Sequence, residues 1–416
     1  MTQRTSSRRW VVPLVLGDLL VVGLMIRFMA LDLPGHYGDS VVMTRWAETM
    51  ARYGPFNFYQ HDGSVYPALL YIFWPLGVLF DGAELARVVK GLSIPFDIAI
   101  GIVVYLTARR MVGGLRALIA PAVYLLNPAV LLAGPVWGQI DAAGTLAYLC
   151  TLLAAASGRL TLASALAVVA VLIKPQFGLV ALPVGMLAIL AWRATGRWIP
   201  LVNAALAALI AYLFIAIPLG LDPISFISRA AGIAADKPVT SANAPNIWGV
   251  LVGYSLPDTN YAFIGGALLL LGLVASLIPL WFRRDLKTVL AVGLFLVLAF
   301  YFLPTRIHER YLFPAFAILA PLAATSWRVL IATLLLTVAY TLTLLYALVS
   351  TTPFKLPPSI EHVLVTRTAA IWIGMTLMAT SATLVLLLVR RRPVADPVGG
   401  GLAGADPAGA DPAGAT

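Results

Sequence analysis

Residues 160–192 read LTLASALAVVAVLIKPQFGLVALPVGMLAILAW, an apolar run with a single charge, Lys174, followed at once by Pro175. About 20 apolar residues in a helix cross the ~30 Å hydrocarbon core of a bilayer. Proline inside a helix removes an amide donor and collides with the preceding turn. The run therefore reads as two spans, about 160–174 and 175–192, meeting at Lys174-Pro175-Gln176. Interrupted backbone at membrane depth survives only where protein or water satisfies it, and a lysine there is costly unless it meets an anion. The alternative for Lys174 is a simple turn whose ammonium snorkels to the surface.

The rest of the chain follows the same pattern. Of its 416 residues, 61% are hydrophobic and 11% charged, against roughly 25% charged in a soluble domain. Further apolar runs lie at about 10–30, 88–108, 113–133, 139–157, 198–220, 261–282, 286–304, 311–326, 328–350 and 368–389. The expectation is an all-α polytopic membrane protein of about twelve spans, one transmembrane domain over 1–392. Basic residues cluster at Arg8/Arg9, Arg109/Arg110/Arg116, Arg159, Arg193/Arg197, Arg283/Arg284/Lys287, Arg328 and Arg390/Arg391/Arg392. These mark cytoplasmic intervals, so the net charge of +10 reports topology and not nucleic-acid binding. The alternation works if the shorter run 67–81 is tilted or re-entrant, which leaves both termini in the cytoplasm. The basic N-terminus has no small-residue cleavage site and leads into a retained first helix. Cys150 stands alone, which excludes an intrachain disulfide and a cysteine metal cluster. Residues 393–416 repeat Ala-Asp-Pro-Ala-Gly without apolar periodicity, the composition of a disordered cytoplasmic tail.

That topology collects nearly every polar residue other than the anchoring arginines on the extracytoplasmic side. The first outer loop, 31–66, reads LDLPGHYGDSVVMTRWAETMARYGPFNFYQHDGSVY and is the richest of these intervals. Asp39 or Ser40 N-caps a helix over 41–53, with Trp46, Met50 and Tyr53 on an interfacial face, or Asp39 serves as a base for an acceptor hydroxyl. The two roles are compatible. Asp62, before Gly63, reads as a turn residue. Later in the chain, Arg306-Ile307-His308-Glu309-Arg310-Tyr311 sets two guanidiniums and an imidazole within a turn or two. Arginine grips phosphate oxygens bidentately and imidazole can donate to a leaving phosphate; a lipid-headgroup anchor is the alternative. Trp137-Gly-Gln139-Ile-Asp141 and Ser241-Ala-Asn243-Ala-Pro-Asn246-Ile-Trp248 pair indole with amide or carboxylate, a mixture that suits sugar rings or an interfacial aromatic belt. Asp18, Arg27 and Asp97 fall within spans and are expected to pair internally. No Gly-rich nucleotide loop, paired Cys/His metal spacing or Gly-x-Ser-x-Gly elbow occurs, so nucleotide-driven chemistry is poorly supported.

Taken in order, the motifs are Asp39 in the first outer loop, Tyr66-Pro67, Trp137-Gly-Gln-Ile-Asp141, Lys174-Pro-Gln176, Asn243-x-x-Asn246-x-Trp248-Gly249 and His308-Glu309-Arg310-Tyr311-Leu-x-Pro. Over about residues 10–350 this series resembles the GT-C superfamily of integral-membrane glycosyltransferases. Within it, the chain is similar to bacterial proteins like the GPI-type mannosyltransferases, which use a polyprenyl-phosphate sugar. The resemblance implies Asp39 as catalytic base and donor-phosphate contacts from Arg306, His308, Arg310 and Lys174. It implies substrate contacts from Tyr66, Trp137, Gln139, Asp141, Gln176, Asn243, Asn246 and Glu309. Some members carry a second neighbouring acid and bind a metal; this chain has Gly38-Asp39-Ser40, so no metal or other cofactor is expected. The implied activity is inverting transfer of a hexose, mannose foremost, from a polyprenyl-phosphate donor. The acceptor would be a hydroxyl of a glycolipid, polysaccharide or protein outside the membrane. The rival is a secondary transporter or lipid-linked sugar flippase, which intramembrane Asp18, Arg27 and Asp97 and a proline-broken helix would suit. No internal repeat supports it.

Overall fold

Apolar length sets the architecture. In the computed structural model the described residues, 7–64 and 66–389, are helices joined by short connections, with isolated β-bridges and no strand among them. Seven helices are long and apolar enough to cross a bilayer: Trp10–Ala30, Gly82–Met111, Pro175–Thr195, Ile199–Leu219, Ala262–Phe282, Trp327–Thr351 and Arg367–Val389. Leu115–Leu125 and Pro128–Val136, bent by 41°, make an eighth if taken as one span. Pro67–Leu79, Asp141–Ala156, Leu160–Ile173 and Leu286–Phe302 are shorter apolar helices. Twelve spans is thus an approximate count. The expectations for 393–416 and for the extreme N-terminus lie outside the described residues.

The span expected at 311–326 contracts to the helix Pro314–Ala323, whose ten residues are all buried. Ten residues rise about 15 Å, half the hydrocarbon thickness. It packs against Leu286–Phe302, Trp327–Thr351, Ser93–Met111 and Asp141–Ala156, so protein, not lipid, surrounds it. A helix apolar on every side and enclosed in this way is the core of the bundle.

The short run near 67–81 also finds a definite place. Pro67–Leu79 has 13 residues, a rise of about 20 Å. Beyond it, Lys90 Nζ donates to the Leu31 carbonyl at 2.8 Å and Arg87 pairs with Asp32. The chain therefore leaves and rejoins the same end of the first helix, and Pro67–Leu79 makes no net crossing. It packs on Tyr37–Tyr53, whose Met43, Trp46, Ala47 and Met50 are buried. Trp46 and Met50, expected with Tyr53 on an interfacial face, are thus covered by protein, while Tyr53 is exposed and stacks on His61.

Two of the three intramembrane charges are paired. Arg27 Nε donates to Asp97 Oδ2 at 3.0 Å, and the Tyr124 hydroxyl donates to Asp97 Oδ1 at 2.7 Å. Arg27 Nη1 donates to the Gly23 and Leu125 carbonyls, and both charged side chains are fully buried. Asp18 departs from expectation: it lies on the exposed face of its helix, and no described residue hydrogen-bonds or ion-pairs with it. Removing one partner of a buried pair strands the other charge, at a cost of about 3–5 kcal/mol. Asp97→Ala is therefore expected to lower the thermal midpoint more than Arg27→Met combined with Asp97→Leu. The reverse order in a denaturation scan would show that the pair is not closed to solvent.

Candidate active site

Helix Tyr37–Tyr53 begins one turn earlier than expected. Its N-cap is His36, not Asp39 or Ser40: His36 Nδ1 accepts the Asp39 amide N–H at 3.2 Å. Asp39 falls in the first turn, where the helix dipole favours an anion, and its carboxylate is released from capping. Asp39 Oδ2 accepts from Trp137 Nε1 at 2.9 Å, lies 3.2 Å from His36 Nδ1 and 3.5 Å from Arg310 Nη1. The His36 ring stacks on Trp137 with centroids 5.3 Å apart, and its amide donates to the Trp137 carbonyl. That close approach needs Gly35, where an added Cβ would stand 2.2 Å from the Val136 carbonyl oxygen.

The Trp137–Asp141 motif follows a π-helical turn, Leu132–Val136, and Asp141 opens the helix Asp141–Ala156. Opposite it the chain breaks as expected, with Lys174 extended between Leu160–Ile173 and the 3₁₀ turn Pro175–Val180. Lys174 is 1% exposed, which rules out snorkelling. Its ammonium donates to Gln139 Oε1 at 2.8 Å and Asp141 Oδ1 at 2.5 Å, and sits 5.3 Å from the centre of the Tyr66 ring. The anion that the sequence demanded is Asp141 of this same chain. Gly144 lets the 3₁₀ turn approach: a Cβ there would meet Phe177 at 2.1 Å. Gln176 is half-buried in that turn.

Arg310 is the hub. Its Nη1 lies 3.1 Å from Glu309 Oε1, and the guanidinium sits 5.7 Å from the centre of the Trp137 ring. Arg310 Nε and Asp141 Oδ2 are shielded from solvent with no hydrogen-bond partner among the described residues. Donors and acceptors left open in a protein interior cost free energy unless water or a ligand meets them.

Arg306 is differently engaged. Its Nε and Nη2 donate to the two oxygens of Asp258 at 2.7 and 3.3 Å, and the Thr305 hydroxyl joins them at 2.8 Å. The second amide-aromatic motif braces this loop. Asn246 Nδ2 donates to the Pro304 carbonyl, Trp248 Nε1 to that of Leu303, and Asn246 Oδ1 accepts from the Gly249 amide. Ala242 and Glu309 complete the clasp through backbone bonds, while Asn243, at φ 62°, is half-buried beside His308. Sugar recognition was expected of Asn246; its amide is spent on backbone instead.

The electrostatics follow from this packing. Burial pushes the Asp39 carboxyl up, but Arg310, His36, the Trp137 N–H and Lys174 outweigh it and hold Asp39 well below the usual carboxylate range. Burial, reinforced by Arg310, drives His308 down to about 3. Burial also lowers His36, against the pull of Asp39. Glu309 is pushed up by burial, with Arg310 opposing. His308 is therefore neutral at pH 7. A histidine whose folded pKa is depressed binds protons more readily when unfolded, so its contribution to stability is lost as pH falls below about 6.5. The thermal midpoint is expected to drop between pH 7 and 5 by more in the wild type than in His308→Gln. Equal drops would contradict the burial of that ring.

The structure thus joins Asp39, Tyr66, Trp137, Gln139, Asp141, Lys174, His308, Glu309 and Arg310 around one centre, and hands Arg306 and Asn246 to the supporting loop. His36 was visible in the sequence without a role; its signal is the i, i+3 spacing to Asp39 at a helix start. Asp258 had no local signal, because its partner lies 48 residues away.

No family model matches the chain, and no curated protein matches its sequence. Among solved structures it is similar to ArnT from Cupriavidus metallidurans, in the apo state at 17% identity and bound to undecaprenyl phosphate at 18%. Each comparison covers 92% of this chain and 78% of that one, with a TM-score of 0.48. At that score the assignment of the site rests on this chain's own geometry.

Proposed function

We propose that the protein is a membrane glycosyltransferase that moves a hexose from a polyprenyl-phosphate donor to an acceptor hydroxyl outside the membrane. The observation that carries this reading is the half-buried Asp39–Arg310 contact over Trp137, with Arg310 Nε left open. An unfilled guanidinium donor suits a phosphate oxygen, and an adjacent carboxylate suits a base. Without substrate each neutralises the other. When the donor phosphate engages Arg310, the field on Asp39 weakens and its proton affinity rises toward what a base requires.

The acceptor oxygen then attacks the anomeric carbon from the face opposite the phosphate, its proton passing to Asp39. The bond from carbon to phosphate oxygen breaks, the electron pair leaves with the phosphate, and the configuration inverts. One carboxylate suffices because phosphate is a competent leaving group, whereas hydrolases that expel a sugar alcohol use two. His308, neutral at working pH, supplies a hydrogen bond to the phosphate and not a proton. Lys174 holds Gln139 and Asp141 in place for the sugar, and Arg306 keeps the loop in register. Mannose as the sugar, and the mannosyltransferase-like subtype, rest on the motif resemblance. They are tested by offering purified protein in nanodiscs radiolabelled polyprenyl-phosphate mannose and glucose in parallel with a lipid extract. Product from mannose alone supports that assignment, and product from glucose alone overturns it.

Two findings weigh against a transporter. Arg27 and Asp97 pair with each other in full burial, and the proline-broken helix holds a lysine already paired with Asp141. Arg306→Gln separates brace from grip: it is expected to lower the thermal midpoint while leaving donor KM within about three-fold, since a loop brace acts on stability first. A rise in donor KM of tenfold or more would return Arg306 to the phosphate.

A further inference from the structure

At the end of the bundle opposite Asp39, a cavity of about 980 Å³ is bordered by Arg116, Lys287 and Arg328, from three separate helices, and by Arg283, from the connection before Leu286–Phe302. One carboxylate, Asp285, borders it too, and both its oxygens are bonded to Thr288 at the helix start. The lining is therefore strongly positive. Ile278, Pro279, Phe295 and Val389 also line a second cavity of about 490 Å³, which continues between Ala262–Phe282, Leu286–Phe302 and Arg367–Val389 to Phe302 and Leu303. That continuation is apolar. From Lys287 to Phe302 is 15 residues of helix, about 22 Å, against ~15 Å for one leaflet of hydrocarbon.

Arginines that only set topology need do no more than lie near the helix ends at the cytoplasmic interface. Here they converge on a cavity that leads into a chain-length apolar groove. A basic pocket between transmembrane helices is the arrangement that recognises an anionic lipid headgroup. We propose that this is a binding site for an anionic phospholipid, with the phosphate in the basic cavity and one acyl chain along the groove. The site is separate from the Asp39 centre and does not depend on the activity proposed for it.

The test is native mass spectrometry of the full chain in detergent, titrated with phosphatidylglycerol and with phosphatidylcholine. The wild type is expected to hold phosphatidylglycerol at least tenfold more tightly. Arg283→Gln with Arg328→Gln should abolish that preference. Because loss of these arginines can also disturb insertion, Ala382→Trp supplies a second variant: Ala382 is exposed and lines the groove, so a large ring there should block the chain without unfolding the protein. Weakened phosphatidylglycerol binding in Ala382→Trp, at an unchanged thermal midpoint, supports the site. Equal binding of the two lipids by the wild type, or unchanged preference in both variants, overturns it. So does a preference that emerges only after residues 390–416 are deleted, since the cavity would then belong to the chain's own C-terminal segment.

Discussion

Asp39→Asn is expected to lower turnover by about 10³-fold, within the range that a positioned general base supplies, and to leave donor affinity undiminished. The two halves of that result have separate physical causes. The amide keeps the size of the side chain and can still accept from Trp137, so the first turn of Tyr37–Tyr53 and its stacking on the Trp137 loop persist. What disappears is the anion that takes the acceptor proton. The same change removes the charge that occupies Arg310 at 3.5 Å, so a donor phosphate meets less competition for that guanidinium. Product formation measured alongside binding of a polyprenyl-phosphate analogue distinguishes the two halves. Loss of donor binding equal to the loss of turnover would make Asp39 a structural partner of Arg310 and nothing more.

Arg310→Lys is expected to weaken donor binding by about 10- to 150-fold, the equivalent of losing a charge-assisted hydrogen bond worth about 1.5–3 kcal/mol. Lysine retains the cation that Asp39 and Glu309 require but lacks the planar fork and the Nε donor. Truncation to alanine is a poorer probe. It would strand Asp39 and buried Glu309 without their cation and destabilise the fold by about 3–5 kcal/mol. Donor binding by Arg310→Lys that matched the wild type would locate the phosphate elsewhere.

What could be read from residues alone was the kind of contact each motif seeks, and less often its partner. Lys174 shows both sides. Its position after an apolar run, before proline, required a buried anion, and the sequence could not say whether that anion was a substrate phosphate or Asp141. Asp39 is legible as a polar outpost beside the first span, yet the sequence pattern starts its helix late, because the capping preference for Ser, Asp and Asn outranks that for histidine. Burial lengths misled at 311–326, where hydropathy counts apolar residues without knowing whether lipid or protein will face them. The Arg306–Asp258 pair and the Asn246 clasp were invisible, since each joins segments nearly 50 residues or more apart through geometry that no spacing records.

The most direct measurement combines purified wild-type protein and Asp39→Asn, each in nanodiscs, with radiolabelled polyprenyl-phosphate hexose and a lipid extract as the source of acceptor. The account predicts a labelled product from the wild type, with polyprenyl phosphate released in equal amount, and none above background from Asp39→Asn. Product formed equally well by both proteins, or donor consumed by neither across several sugars, would contradict it.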